Sequence, residues 1–221
     1  MLISEPLPFV KNFIDEVNQG IKKHKPDACM TSNQKIWLSF CIMAVLMTNT
    51  VCWAKFERAS LGKYSISALS WMFRNSMIPW ELLLTISIMV ILKRFGIKQG
   101  NLGVDDTDKR RSKSTKKISN VHKLKDKASG GYFMGQCIVF LVLITPKITI
   151  PVGFAFFMPD PVLKIWKKED EKLKAKGIPK SLRPVEPPRD ENYPTIPEIA
   201  LKLLEEFKIN HTFNTIWIKN N

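Results

Sequence analysis

Three carboxylates stand within four positions, Asp105, Asp106 and Asp108, at the head of the stretch GVDDTDKRRSKSTKKISNVHKLKDK over 103–127. Nine lysines and arginines follow them, opposed only by Asp126. Acid directly before base permits one kind of chemistry: the carboxylates hold a hard cation and the basic side chains deliver a polyanion to it. A strand over Leu102–Asp108 would place Leu102, Val104, Asp106 and Asp108 on one face, with Asp105 and Thr107 on the other. Asp106 and Asp108 would then lie about 6.5 Å apart along the strand. Either suits Mg²⁺ (or Mn²⁺), which takes one or two protein carboxylates and completes its shell with water and phosphate oxygens. The side chains placed to take a phosphodiester backbone are Lys109, Arg110, Arg111, Lys113, Lys116, Lys117, Lys123 and Lys125, with His122 as a further phosphate contact. A plainer reading stands beside this one, in which the aspartates form a turn and pair with Lys109 and Arg110. The basic run has its own plain reading as a solvated loop or a localisation signal. It lies between two segments patterned like core strands, which makes it a loop of a folded domain and not a tail.

The rest of the chain must position these residues. It has 221 residues, 45% of them hydrophobic, ample for a core. A formal net charge of +14 and a pI near 9.7 favour an anionic partner. The four cysteines, Cys29, Cys41, Cys52 and Cys137, form no C-x-x-C pair, so buried free thiols in a reducing cytoplasm are expected and a structural zinc site is not. Met1–Gln19 carries Glu5, Asp15 and Glu16 and no apolar run, so no signal peptide is expected. Ile36–Ala54 is free of charge over nearly a bilayer's length. Ser39, Thr48, Asn49 and Thr50 within it point to a buried helix in a bundle, and no membrane partner is expected.

The pattern divides the chain near position 98. From Pro8 to about Gly96 the signals are helical: Phe9, Phe13, Val17 and Ile21 recur every four residues, and Pro79 and Gly96 suit the two ends of a helix. Beyond it, 129–145 and 148–159 read as two buried strands joined at Pro146-Lys147, with Pro151 marking an edge or a bulge. A proline-rich insertion over about 159–197 contains one charged helix and a segment expected to be extended and exposed. Thr195 and Glu198 have capping-box spacing ahead of the apolar positions Ile199, Leu203, Leu204 and Phe207. FNTIWIKNN reads as a strand.

The string DDTDKRRSKSTKKISNVHKLKDKASGGYFMGQ, with CIVFLVLITPKITIPVGFAFFMPDP and the helix EIALKLLEEF, resembles the insertion-sequence transposases of the DDE class, from the helical half through about Lys208. The resemblance implies an α+β protein: an N-terminal helical domain over 1–98, which would bind DNA, then a partial RNase H-like α/β core over 99–221 comprising the first three strands and one helix. It implies metal-dependent phosphodiester cleavage and strand transfer on DNA at the element ends, a possible homo-oligomer, and a place in the bacterial cytoplasm at the nucleoid. The aspartate before the threonine is Asp106, which takes the role of first catalytic and metal-binding residue, with Asp108 as a second candidate ligand. The family uses three carboxylates and two Mg²⁺ ions, the second carboxylate on a strand just after the helix. NHTFNTIWIKNN has no acidic residue there. The expectation is therefore a truncated or frameshifted copy without activity of its own. Its alternative is a non-catalytic DNA-binding remnant that inhibits an intact enzyme; a membrane-anchored basic protein is the weakest reading.

Overall fold

A computed structural model of the chain describes residues 5–111, 118–210 and 216–219. The chain divides after Gly96 into two units, Met1–Gly96 and Ile97–Asn221.

The first unit is helical: α1 (Pro8–His24), α2 (Ser32–Thr48), α3 (Trp53–Ala59), α4 (Ile66–Asn75) and α5 (Trp80–Phe95). On α1 the buried side chains are Val10, Ile14, Val17 and Ile21, while Phe9 faces solvent. Steps of four, three and four stay in line on a helix of 3.6 residues per turn, whereas the expected row of fours drifts off it. Thr31 and Gln34 close a reciprocal capping box at the start of α2. The expected single helix over Ile36–Ala54 is broken. Asn49 adopts a left-handed φ of 48° and returns its N–H to the Val45 carbonyl. α3 then leaves at 91° to α2. Asparagine tolerates this conformation better than the residues around it. No described helix is long and apolar enough to cross a membrane. α5 follows Pro79 directly and ends at Gly96, whose φ of 61° suits glycine. Trp37, Phe40, Phe56 and Leu69 form one core of this unit, and Ile14, Val17, Ile21 and Ile86 another.

The second unit contains β1 (Gly100–Arg110), β2 (His122–Lys125), β3 (Tyr132–Ile144), β4 (Thr149–Phe157), α6 (Pro161–Ala175), α7 (Ile196–Asn210) and β5 (Ile216–Lys219). It is an α+β unit with a five-stranded sheet, so the expected three strands and one helix are too few. β1 and β3 pair antiparallel over ten positions, from Asn101↔Ile144 to Arg110↔Gly135. The other edge of β3 is shared: β2 pairs with its first residues and β4 with the remainder, end to end. β5 runs parallel to β1 on the far side. The sheet register slips at Leu141/Val142, where Pro151 pairs with Val142 and leaves Val152 as the extra residue. That is the bulge expected of a proline in a strand.

One sheet face is closed by α7. Val139, Leu141 and Leu143 alternate along β3 and are fully buried, and Ile199, Leu203 and Phe207 of the helix are buried as well. Gly153 lets the two approach, since a Cβ there would meet Leu203 Cδ2 at 3.3 Å. Thr195 and Glu198 make the expected capping box, and Arg189 clamps the same carboxylate with both guanidinium nitrogens. Together Arg189 and Thr195 pull the Glu198 pKa down to about 2. The proline-rich segment is less free than expected. Arg183 grips Asp170 of α6 through two bonds of 2.8 and 2.9 Å, and Trp166 donates to the Pro184 carbonyl. Asp160 caps α6 and also accepts from the Asp190 amide.

Gly135 marks the tightest point of the sheet. A Cβ there would fall 2.7 Å from the Phe133 ring and 2.8 Å from the Lys109 carbonyl oxygen. Gly135→Ala should therefore push β1 from β3 and cost roughly 1–3 kcal/mol, a loss of several degrees in Tm by calorimetry. An unchanged Tm would contradict this packing.

Candidate functional site

β1 is apolar and buried at Leu102 and becomes exposed and polar from Asp105 onward. The strand alternation carries Leu102, Val104, Asp106, Asp108 and Arg110 onto the face beneath α7. Cross-strand partners share a face, so the register extends the set. Asp106 stands opposite Val139, Asp108 opposite Cys137, and Arg110 opposite Gly135, which is also the partner of His122. Asp106, Asp108, Arg110, Cys137 and His122 thus meet on one face, where the apolar core under α7 gives way to solvent. Leu102 anchors the strand in the core, and the two carboxylates emerge at its open end.

Each neighbour tunes the cluster. Cys137 is buried, and its thiol is pushed up to about 11 by that burial first and then by the negative charges of Asp108 and Asp106. It therefore remains a thiol at neutral pH, directly across the strand pair from Asp108. The His122 imidazole is 6% exposed, packs edge-on against Phe157, and has Nδ1 3.2 Å from the Asn120 carbonyl. Burial pushes its pKa below the usual value, with Lys164 of α6 acting in the same sense; Asn120 and Asp108 oppose them. A ring so enclosed is a packed neutral imidazole of the core edge, and its placement does not favour the phosphate contact expected of it. The Arg110 guanidinium lies 4.7 Å over the Phe133 ring and donates to Asp126 at 2.8 Å. Asp126 also accepts from Ser129 Oγ and the Ala128 amide, so it organises the turn into β3 while it pairs with Arg110.

The remaining basic residues are not all brought to the carboxylates. Lys109, Arg111, Lys123 and Lys125 fall on the opposite face by the same alternation, together with Asp105 and Thr107. Arg111 Nε donates to Gln136 Oε1 at 2.8 Å, and the Gln136 amide donates to the Ser119 carbonyl. Lys123 lies 4.3 Å over the Tyr132 ring. Lys113, Lys116 and Lys117 lie outside the described residues. The expected single patch, acid beside base, is therefore divided between two faces. Among the described residues no three of His, Cys, Asp and Glu are placed to hold one metal ion. The thiols are mixed: Cys41 and Cys137 are buried as expected, but Cys52 is exposed.

The chain matches no protein-family model, no curated protein and no solved structure. Its site is thus read from geometry. Cys137 escaped the sequence reading because its relation to Asp108 exists in the register alone, 29 positions away along the chain. The burial of His122 was equally hidden, since it depends on Phe157 and the end of β4. The strand at His122–Lys125 carried a weak signal, the alternation of His122 and Leu124 with Lys123 and Lys125.

The lowered His122 pKa has a definite sign. The unfolded chain binds a proton that the native one resists, so this contribution to stability is complete above the ordinary value near 6.5 and declines as pH falls below it. The charges facing the ring are Asp108 from β1 and Lys164 from α6. His122→Gln should flatten the fall in Tm between pH 7.5 and 5.0; equal slopes in both proteins would show that the imidazole is not the group responsible.

Proposed function

We propose that the chain is a DNA transposase polypeptide of the DDE class. It grips DNA through its positive charge, and Asp106 is its first metal-binding carboxylate, with Asp108 beside it. The observation that carries this reading is the company β1 keeps. It supplies both carboxylates, pairs antiparallel with β3, which pairs in turn with β4, and has β5 as a parallel neighbour reached through α7. That succession of strand, strand, strand, helix and strand is the one the resemblance implies, with β2 and α6 added. It supports an RNase H-like core. The parallel register also points the right way: Gly103 lies beside Lys219, so β5 advances along β1 toward Asp106.

The donors fit one ion. Asp106 and Asp108 present hard oxygens side by side at the solvent-exposed end of the α7 face, which suits a Mg²⁺ or Mn²⁺ that keeps most of its water. A second ion does not fit the described residues, because no third ligand joins the two. Such an ion, when bound, lowers the pKa of a coordinated water or 3′-hydroxyl. The protein's own groups hold the ligands in place: the pairing with β3 sets Asp108 opposite Cys137, and the core beneath α7 fixes the strand. By this reading the described residues bind DNA and part of the metal site and do not transfer strands by themselves.

Two measurements test it. Free Mn²⁺, followed by its paramagnetic resonance signal, should fall on adding the chain and not on adding Asp106→Asn. Duplex binding should persist in both proteins and weaken steeply with salt. Equal Mn²⁺ uptake by the two proteins would remove Asp106 from the role. Translation of the coding DNA past codon 221 in all three frames should reveal an aspartate on a short apolar strand and a distant glutamate. If no frame carries them, DNA binding without cleavage becomes the better account.

A further inference from the structure

The sheet face turned away from α7 has a composition of its own. Phe154 and Phe156 of β4 project from it, 48% and 38% exposed, with the half-buried Phe140 of β3 beside them. Their ring centroids are 6.2 Å apart and their planes perpendicular, an edge-to-face pair that is not stacked on itself and leaves both rings partly exposed. Phe140 lies 6.2 Å from Phe154. Next in line along the same edge of β3 comes β2, whose Lys123 and Lys125 stand opposite Met134 and Tyr132 on this face. Across β3, Lys109 stands opposite Gln136, and the Arg111 amide continues the pairing to the Met134 carbonyl. Four cations therefore flank one end of β3, and an aromatic strip lies further along its edge, beyond the buried Gln136 that Ser119 and Arg111 hold. Asp105, opposite Phe140, is the acid of this face on β1 and lies at the aromatic end.

We propose that this face binds single-stranded DNA, the phosphates held by Lys109, Arg111, Lys123 and Lys125 and unpaired bases stacked on Phe154 and Phe156. The pairing of features selects this occupant. A polymer with an anionic backbone and planar apolar side groups needs cations and open rings in one track. An acidic peptide would want charge along the whole track, and an amphipathic helix would want it apolar throughout. Duplex DNA hides its base faces and gains nothing from the rings. Tyr132 is exposed, but Lys123 already covers its ring, so stacking falls to the β4 pair. The choice of a deoxy strand rests on the proposed transposase reading; the rings and cations do not.

The test is fluorescence anisotropy of a labelled oligo(dT) with the full chain. Phe154→Val with Phe156→Val keeps strand propensity and removes both rings, and should weaken binding about tenfold or more, with circular dichroism and Tm confirming the fold. Lys109→Ala with Lys123→Ala should reduce the log–log salt slope by about 0.7 per lost contact. Mn²⁺ uptake by Asp106→Asn is measured without oligonucleotide, so failure of the transposase reading and failure of this one are told apart. Four results would overturn the proposal: a duplex competing as well as oligo(dT), oligo(rU) binding tenfold more tightly, a ring-free variant that binds like the parent, or a dimer dissolved by the two valines with no oligonucleotide bound.

Discussion

The pairing of β1 with β3, over a face that must be buried, is the constraint on which the second unit depends. Val139, Leu141 and Leu143 point into the core under α7, and a slip of one residue would turn all of them to solvent. The register is therefore fixed by hydrophobic burial alone. Everything chemical in the unit follows from that register. It decides that Asp108 meets Cys137 and that Asp106 stands past the last fully buried pair. Gly135 is a point where the geometry leaves no room for a side chain, and it lies between Arg110 and His122.

Because the side-chain period of a strand is two, the charged segment is divided as it passes through the sheet. A continuous run in sequence becomes an acidic cluster with one restrained arginine on the helix-covered face and a set of cations on the open one. The two faces carry different chemistry. The first combines hard oxygens with a buried thiol and a buried imidazole. The second joins cations to uncovered rings. A transposase-type reading uses the first face, and the second is available for a nucleic acid strand without competing for the carboxylates.

Local signals in the sequence were reliable where the physics is local. The capping boxes at Thr31/Gln34 and Thr195/Glu198 form within four residues, and the second was visible as a spacing. Pro151 forced a bulge because it has no N–H to give the ladder, and Gly96 ended α5 because it accepts a positive φ. Asn49 was also legible in principle: an asparagine between two threonines is a competent helix terminator, hidden inside an apolar run that reads as one long helix. The α1 stripe was right in kind and rotated in detail, since Val10 and Ile14 are buried in place of Phe9 and Phe13. Charge concealed β2, because lysines at Lys123 and Lys125 look like loop until the alternating His122 and Leu124 find a buried face.

The sequence by itself determined two units of different texture, the helical first half, the strand nature of the apolar runs after Gly100, and the co-facial placement of Asp106 and Asp108. These depend on composition and on the period of one strand. Tertiary structure decided which charges meet. It seated Cys137 against Asp108, buried His122 beneath the edge of Phe157, and separated Lys109, Arg111, Lys123 and Lys125 from the carboxylates. Such relations arise between strands far apart in the chain. They are set by which apolar faces must be buried together, and no spacing within a single segment records that choice.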